Sequence, residues 1–203
     1  MRVLQPVRLL AFSDLHRDRR KCARLVELAR HADVVIGAGD FASFHLGLEP
    51  VIDALSSIEA PAVLVPGNNE TEAALGRACA KWPSACVLHG VSKEIDGVCF
   101  FGLGAGVPRT PFPWSFDLSD EEAAVRLADC PSGVVLVVHS PPKGHVDEAF
   151  GRHLGSEAIL KTIEAKRPRL AVCGHIHQAW GQEARVGSTR VVNLGPQGRF
   201  FDV

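Results

Sequence analysis

Short apolar runs alternate with segments of helical periodicity along the first half of the chain. In the segment at 19–31, apolar residues recur at steps of three and four, with charged residues between them. This alternation is typical of a mostly parallel β-sheet covered by helices, because parallel strands are joined by crossover helices. The pattern predicts strands at 7–12, 33–37, 62–65 and 86–88 and helices at 19–31, 50–58 and 71–80.

The second half of the chain adds hairpins to this pattern. Residues 91–102 place Asp96-Gly97 between two apolar runs, which is a strong signal for a tight β-hairpin. Ser119, followed by Glu122, predicts a capping box at the start of a helix. We therefore expect two mixed sheets packed together with helices outside. The remaining predicted elements are a strand at 133–138, a helix at 156–166, a strand at 170–173 and a hairpin at 182–193 that turns at Gly187-Ser188.

Length and composition predict one globular domain over residues 1–203, since 203 residues with 46% hydrophobic composition can bury a substantial core. The longest aliphatic run, at 134–138, is far shorter than the roughly 20 apolar residues that span a bilayer. The amino terminus lacks a continuous apolar segment of the kind found in signal peptides. These observations predict a cytoplasmic protein without a membrane partner.

Net charge and cysteine content give expectations about the partners of the protein and the state of its thiols. The formal net charge of -1 makes a nucleic acid polymer an unfavourable partner but leaves a small anionic ligand open. The six cysteines form no CxxC pair, and several lie in apolar runs, so we expect reduced thiols that pack in the core. Neither monomer nor dimer is favoured by the sequence.

Polar side chains follow five of the apolar runs at the point where each run ends. Loops that leave the carboxyl ends of strands in an α/β sheet meet at one crevice, so these side chains can face the same volume. Gly39, Gly67 and Gly174 each precede one of them, and we expect these glycines to allow backbone turns. The candidate metal ligands are Asp14, His16, Asp40, Asn68, His139, His175 and His177.

The chemistry of these donors favours a pair of divalent metal ions. Carboxylate, imidazole and amide groups without a thiolate suit Mn²⁺, Fe²⁺, Co²⁺ or Zn²⁺, and manganese is our first choice. Seven donors exceed the needs of one tetrahedral ion and suit two ions that share a carboxylate, for which Asp40 is the natural candidate. Two ions about 3.5–4 Å apart can hold a hydroxide and clamp phosphoryl oxygens.

The motifs DLH (14–16), GD (39–40), GNNE (67–70), HS (139–140) and GHIH (174–177) occur in an order that resembles the calcineurin-like metallophosphoesterase superfamily. The resemblance extends from residue 8 to about residue 196 and is strongest to small single-domain bacterial phosphoesterases. It implies a four-layer α/β/β/α sandwich with two metals, and attack on phosphorus by a hydroxide that bridges them. It assigns Asp14, His16, Asp40 and His177 to one metal, and Asp40, Asn68, His139 and His175 to the other.

The function implied by this resemblance is a metal-dependent phosphoesterase that hydrolyses a phosphodiester or a related small phosphate compound. Asp40 and His139 are expected to take part in catalysis. Two alternatives stay open: a phosphomonoesterase, including one that acts on phosphoproteins, and a metal-binding scaffold with little catalytic activity. The full ligand set favours the enzyme.

Asn69 departs from the family pattern, in which a histidine helps to protonate the leaving group and the following acid, here Glu70, holds it. An asparagine can contact the substrate but cannot transfer a proton, so we expect a preference for good leaving groups. A second interpretation makes Asn69 the N-cap of the helix at 71–80, with Glu72 completing a capping box. His153, or alternatively His145, could replace the missing histidine in catalysis.

Candidate substrate contacts besides Asn69 are Arg17, next to a predicted ligand, and Trp114. With Phe112 and Phe116, Trp114 belongs to a proline-rich segment that could form an aromatic wall. Among the other histidines, His45 could face the site because it follows Asp40 closely. His31 and His89 are expected at the surface.

Overall fold

The computed structural model of the protein describes residues 6–203. The strands of its first sheet are β1 (Arg8–Phe12), β2 (Val34–Gly37), β3 (Ala62–Leu64), β4 (Ala85–Val87) and β13 (Arg199–Asp202). They lie in the order β13-β1-β2-β3-β4, in which β1 to β4 are mutually parallel and β13 runs antiparallel to β1 at the sheet edge. The helices between them are α1 (Arg19–Ala29), α2 (Leu48–Leu55) and α3 (Glu72–Ala78), with a 3₁₀ turn at Cys79–Lys81.

The second sheet has six strands, which from one edge to the other are β11 (Glu183–Val186), β12 (Thr189–Asn193), β10 (Leu170–Cys173), β7 (Val135–Val138), β6 (Val98–Leu103) and β5 (Val91–Ile95). Its four central strands are parallel, and an antiparallel hairpin partner lies at each edge. A separate short hairpin joins β8 (Glu148–Ala149) to β9 (Arg152–His153). The helices that follow β6 and β9 are α4 (Asp120–Leu127) and α5 (Glu157–Lys166).

Three apolar clusters separate the layers. The cluster between the two sheets contains residues from both, such as Ile36 and Val63 from the first and Phe100 and Val137 from the second. The outer face of the first sheet packs against α1, α2 and α3, and the outer face of the second packs against α4 and α5. The predicted architecture of two mixed sheets flanked by helices is therefore confirmed.

The structure confirms the predicted hairpin turn at Asp96-Gly97 and the predicted capping box at Ser119, but not the N-cap at Asn69. Asp96 and Gly97 both have positive φ angles, 51° and 76°, as a tight hairpin turn requires. Ser119 and Glu122 form the predicted capping box. The predicted N-cap at Asn69 is wrong, because the hydroxyl of Thr71 accepts the hydrogen bond from Ala74 N at 3.2 Å.

The cysteines agree with the expectation of reduced thiols. All six cysteines are free, and four of them are buried. Within residues 6–203, no helix combines the length and apolar character needed to cross a membrane. The prediction that the amino terminus lacks a signal-peptide segment includes residues 1–5, which lie outside the described residues. The first strand, β1, begins at Arg8 rather than at residue 7.

Candidate metal centre

The loops after β1, β2, β3, β7 and β10 bring all seven predicted ligands together at one end of the two sheets. The His and Asp residues form two groups that share Asp40, and in each group the potential ligating atoms lie within 4.8 Å of one another. Asn68 joins the second group, because its Oδ1 lies 3.2 Å from His139 Nε2 and 3.0 Å from His175 Nδ1. The first group is Asp14, His16, Asp40 and His177, and the second is Asp40, His139 and His175.

Backbone carbonyls fix the tautomers of two of these histidines. His139 Nδ1 donates to the carbonyl of Ala38 at 2.8 Å, and His16 Nδ1 donates to the carbonyl of Ala42 at 3.2 Å. In each neutral ring the Nε2 lone pair therefore remains free to bind a metal. The Nε2 of His139 lies 3.5 Å from Asp40 Oδ1, and that of His16 lies 3.6 Å from Asp40 Oδ2.

The side chain of Asn68 is oriented by its amide nitrogen. Asn68 Nδ2 donates to Ser115 Oγ at 2.9 Å, and Ser115 Oγ donates to Asp117 Oδ1 at 2.7 Å. Asp117 is held in turn by the backbone and side chain of Thr110, each at 2.7 Å. This chain of hydrogen bonds leaves Asn68 Oδ1 facing the histidines, which is the orientation that a metal ligand needs.

The electrostatics of the centre fit a bound cation. Asp40 is 2% exposed, and burial raises its pKa to about 6, against the opposing effect of His139. Burial also lowers the pKa of His175 well below its usual value, and the neighbouring histidines add to this effect. Divalent cations would offset the repulsion between donor lone pairs that face one another. They would also stabilise the ionised form of the buried carboxylate, which burial disfavours. The residues present therefore fit a metal centre.

Four of the predicted ligands have a strained backbone. Their φ angles are positive, at 56° for Asp14, 46° for His16, 58° for Asp40 and 67° for His175. Positive φ costs free energy for residues with a Cβ and is concentrated at functional sites. The strain is held by the loops and aims each side chain at the shared volume.

The glycines that precede the ligands serve close packing more than turning. Gly39 has a φ of 89°. Gly67 and Gly174 are not in the left-handed region, so the expectation of turns is wrong for these two. A Cβ at Gly67 would collide with the carboxylate of Asp40, and one at Gly174 would collide with that of Asp14. These glycines allow the ligands to approach the backbone.

Asn69 binds two neighbours through its side chain. Its Nδ2 donates to Asp40 Oδ2 at 2.7 Å, and its Oδ1 accepts from Phe44 N at 2.8 Å. The family pattern predicts that Glu70 holds the side chain of residue 69, and this prediction is wrong. Glu70 instead accepts from the backbone N–H groups of Asp40 at 2.8 Å, Ala42 at 2.9 Å and Gly67 at 2.6 Å. Burial and the charge of Asp40 raise the pKa of Glu70 to about 7.

The sequence analysis missed Ser115 and three further residues that support the ligands. Ser13 Oγ donates to Asp14 Oδ2 at 2.5 Å, and Trp180 Nε1 donates to the same oxygen at 3.1 Å. The buried Asn193 donates through Nδ2 to the carbonyls of Gly174 and Ile176, which brace the loop carrying His175. Trp180 follows the GHIH motif closely and Asn193 ends a strand, but neither position carries a local signal for this role.

The ligands open into a cleft of about 340 Å³ that also contacts Phe44, Asn69 and Trp114. Arg17, although next to His16, lies over Gly47 and is not among the residues that line the cleft. Trp114 therefore has the expected position, whereas Arg17 does not.

The remaining histidines are not brought into the cleft. His153 is exposed on the β8–β9 hairpin and donates to the buried Asp147 at 2.7 Å, and neither it nor His145 lines the cleft. His45 lies beside the cleft and donates to the carbonyl of Trp114 at 2.5 Å. His31 is exposed as expected. The surface position expected for His89 is wrong, because this residue is buried and accepts from Gly104 N at 3.1 Å.

Comparison with known proteins gives one family match. A family model described as the calcineurin-like phosphoesterase superfamily domain matches residues 7–202. The UPF0046 protein K07C11.7 of Caenorhabditis elegans is 34% identical over 111 residues, which are 52% of this chain and 36% of that protein. Metallophosphoesterase domain-containing protein 1 of Homo sapiens is 35% identical over 95 residues, which are 43% of this chain and 29% of that protein. The matched region thus spans about a third of each relative.

Solved structures share the fold at low sequence identity. The protein TT1561 of Thermus thermophilus superimposes with a TM-score of 0.77 at 19% identity and covers 95% of this chain and 91% of its own. A dimetal phosphatase from Danio rerio superimposes with a TM-score of 0.65 at 13% identity and covers 95% of this chain and 88% of its own. These similarities support the layered architecture.

Proposed function

Because the chain belongs to the calcineurin-like phosphoesterase superfamily, we propose that it is a hydrolase that cleaves phosphodiesters with the help of two divalent metal ions. The observation that carries this proposal is the pair of donor groups that share Asp40. Ions held there would neutralise phosphoryl charge and activate a water for in-line attack. Manganese, iron, cobalt and zinc all suit the donors, and manganese is the first to test.

The side chains of the cleft support a diester in preference to a monoester. Among the described residues that line the cleft, none is a lysine or an arginine. A phosphomonoester carries up to two negative charges, and only the metal ions would offset them there. A diester carries one negative charge and needs less compensation, so it is the better match.

Asn69 supports substrates with good leaving groups. Its amide donates to Asp40 and accepts from Phe44, and an amide cannot give up a proton to a departing alkoxide. Phenolates with low pKa values leave without protonation. We therefore propose aryl phosphodiesters, or compounds of similar reactivity, as the substrates that the protein cleaves fastest.

The test is hydrolysis of bis-p-nitrophenyl phosphate by the full chain supplied with Mn²⁺. Asp40→Ala and His139→Ala each remove a proposed ligand, and both should lower kcat/KM by at least about 100-fold. His31→Ala is the matched control, since His31 is exposed and lies outside the centre. Loss of activity in this control variant, or retention in both ligand variants, would refute the proposal.

The same assay separates the diesterase from its rivals. Faster hydrolysis of p-nitrophenyl phosphate than of the diester would favour the monoesterase. Metal binding without turnover of either compound would favour the scaffold, for which the position of Asn69 is the supporting observation.

A further inference from the structure

Two loops present exposed aromatic rings at the rim of the metal cleft. Phe44, from the loop after β2, is 64% exposed, and Phe112, from the loop after β6, is 53% exposed. The ring of Trp114 lies between them, 4.8 Å from Phe44 at 63° and 5.6 Å from Phe112 at 19°, measured between centroids. We call Phe44, Phe112 and Trp114 the aromatic wall. Phe116 is not part of it, because its ring packs against His89.

Hydrogen bonds hold this wall in a fixed position relative to the ligands. Asn69 Oδ1 accepts from Phe44 N at 2.8 Å, while Asn69 Nδ2 donates to the shared ligand Asp40. The backbone carbonyl of Asn69 accepts from His45 N at 3.0 Å, and the ring of His45 donates to the carbonyl of Trp114. One asparagine therefore connects the carboxylate to both aromatic loops.

Two rings of the wall and several of the proposed metal ligands face the same cleft. Phe44 and Trp114 line it together with Asp40, Asn68 and His175. Exposed aromatic surface is costly in water and marks binding sites when it adjoins a polar centre. Under the proposed function the adjoining polar centre would hold the phosphoryl group, and the ring faces would lie beside a substituent attached to the same phosphorus.

We propose that the aromatic wall is a subsite for a planar aromatic substituent of the phosphodiester, and that it sets the substrate class. This inference rests on the proposed function. Stacking and edge contacts between aromatic rings favour such a group over an alkyl group. The observations on Asn69 and on the wall agree, because an aryl ester combines a ring for the wall with a leaving group that needs no proton.

The test uses two diesters that share the p-nitrophenolate leaving group. Phenyl p-nitrophenyl phosphate and methyl p-nitrophenyl phosphate differ only in the substituent that stays on phosphorus. The wild type should prefer the phenyl compound by about tenfold in KM, and Phe44→Leu and Trp114→Leu should reduce this preference severalfold. Phe150→Leu, at an exposed phenylalanine outside the wall, is the matched control and should retain the preference.

A binding measurement separates this subsite from catalysis. Diphenylphosphinate and dimethylphosphinate are monoanions without a hydrolysable bond, and calorimetry with the Mn²⁺-supplied protein should give about tenfold tighter binding of the diphenyl compound. Equal affinities of the wild type, or an unchanged preference in both wall variants, would overturn the inference. If neither diester were hydrolysed, the proposed function would fail, and the phosphinate affinities would still decide whether the subsite exists.

Discussion

Asn69 connects the shared carboxylate of Asp40 to the loop that carries Phe44. The sequence indicated that this residue departs from the family pattern, but it could not show what the amide binds, because both partners lie more than twenty residues away in the chain. The competing interpretation as an N-cap relied on local spacing. Local spacing failed because Thr71, two residues later, supplies the cap.

Asn69→His should supply a proton donor and lower the free energy of unfolding. A general acid contributes about 10²–10⁴ in rate where the leaving group is poor, so hydrolysis of diphenyl phosphate should rise relative to that of bis-p-nitrophenyl phosphate. Loss of the bond to Phe44 N should lower the free energy of unfolding by about 1 kcal/mol in urea titration.

Asn69→Ala is the control for this substitution, because it loses the bond to Phe44 without supplying an imidazole. It should be destabilised similarly and show no gain on diphenyl phosphate. Equal ratios of the two rates in the His and Ala variants would contradict the explanation of leaving-group preference.

Ser115 should act on metal binding through the amide of Asn68. Ser115→Ala removes the acceptor of Asn68 Nδ2 and frees the amide to rotate, so Mn²⁺ affinity measured by calorimetry should fall by about 10–100-fold. Ser92→Ala, at an exposed position of β5, should bind Mn²⁺ like the wild type. Indistinguishable titrations of the two variants would show that Ser115 does not orient the ligand.

At the scale of secondary structure, the strands followed by ligands were the most predictable elements. Each has an apolar run that is buried between layers and is followed by a polar residue. The run predicts the strand, and its carboxyl end predicts the position of the ligand. The strand β13 (Arg199–Asp202) was missed because it is short and its partner β1 lies at the other end of the chain. The two-residue strands of the β8–β9 hairpin were missed for lack of a periodic signal.

The capping box of α4 gives a prediction that is independent of the metal centre. Ser119→Ala removes the acceptor for Glu122 N and should lower the free energy of unfolding by about 1 kcal/mol in urea titration. Mn²⁺ affinity should not change, because α4 packs on the outer face of the second sheet. A fall in metal affinity of tenfold or more would mean that the helix start and the centre are coupled.

At the scale of the whole molecule, the centre joins the two sheets. Asp14, His16, Asp40 and Asn68 follow strands of the first sheet, and His139, His175 and His177 follow strands of the second. The bond from His139 Nδ1 to the carbonyl of Ala38 also crosses between them. Cations bound by both sets would therefore oppose separation of the sheets.

Metal addition should accordingly raise the melting temperature. A ligand at 100 times its Kd stabilises the native state by about 2.7 kcal/mol if it does not bind the unfolded chain. A scan of the wild type with and without Mn²⁺ should show the increase, and Asp40→Asn, which neutralises the shared carboxylate, should reduce it. An equal increase in both proteins would place the stabilising ions elsewhere.

Contacts between distant parts of the chain could not be predicted from the sequence. The ligands were predictable because each one ends an apolar run, whereas the aromatic wall combines Phe44 with Phe112 and Trp114 from loops of different sheets. Trp180, which supports Asp14, lies more than 160 residues from it in the chain. Contacts of this kind depend on how the layers pack, so a local sequence pattern does not predict them.

Elemental analysis of the manganese content after reconstitution tests whether the two groups that share Asp40 hold two metal ions. We expect about two ions per chain for the wild type and for His31→Ala, and fewer than about one for Asp40→Ala, which removes the carboxylate shared by both groups. A wild type that retains no manganese, iron, cobalt or zinc, or an Asp40→Ala variant that still retains two ions, would contradict this expectation.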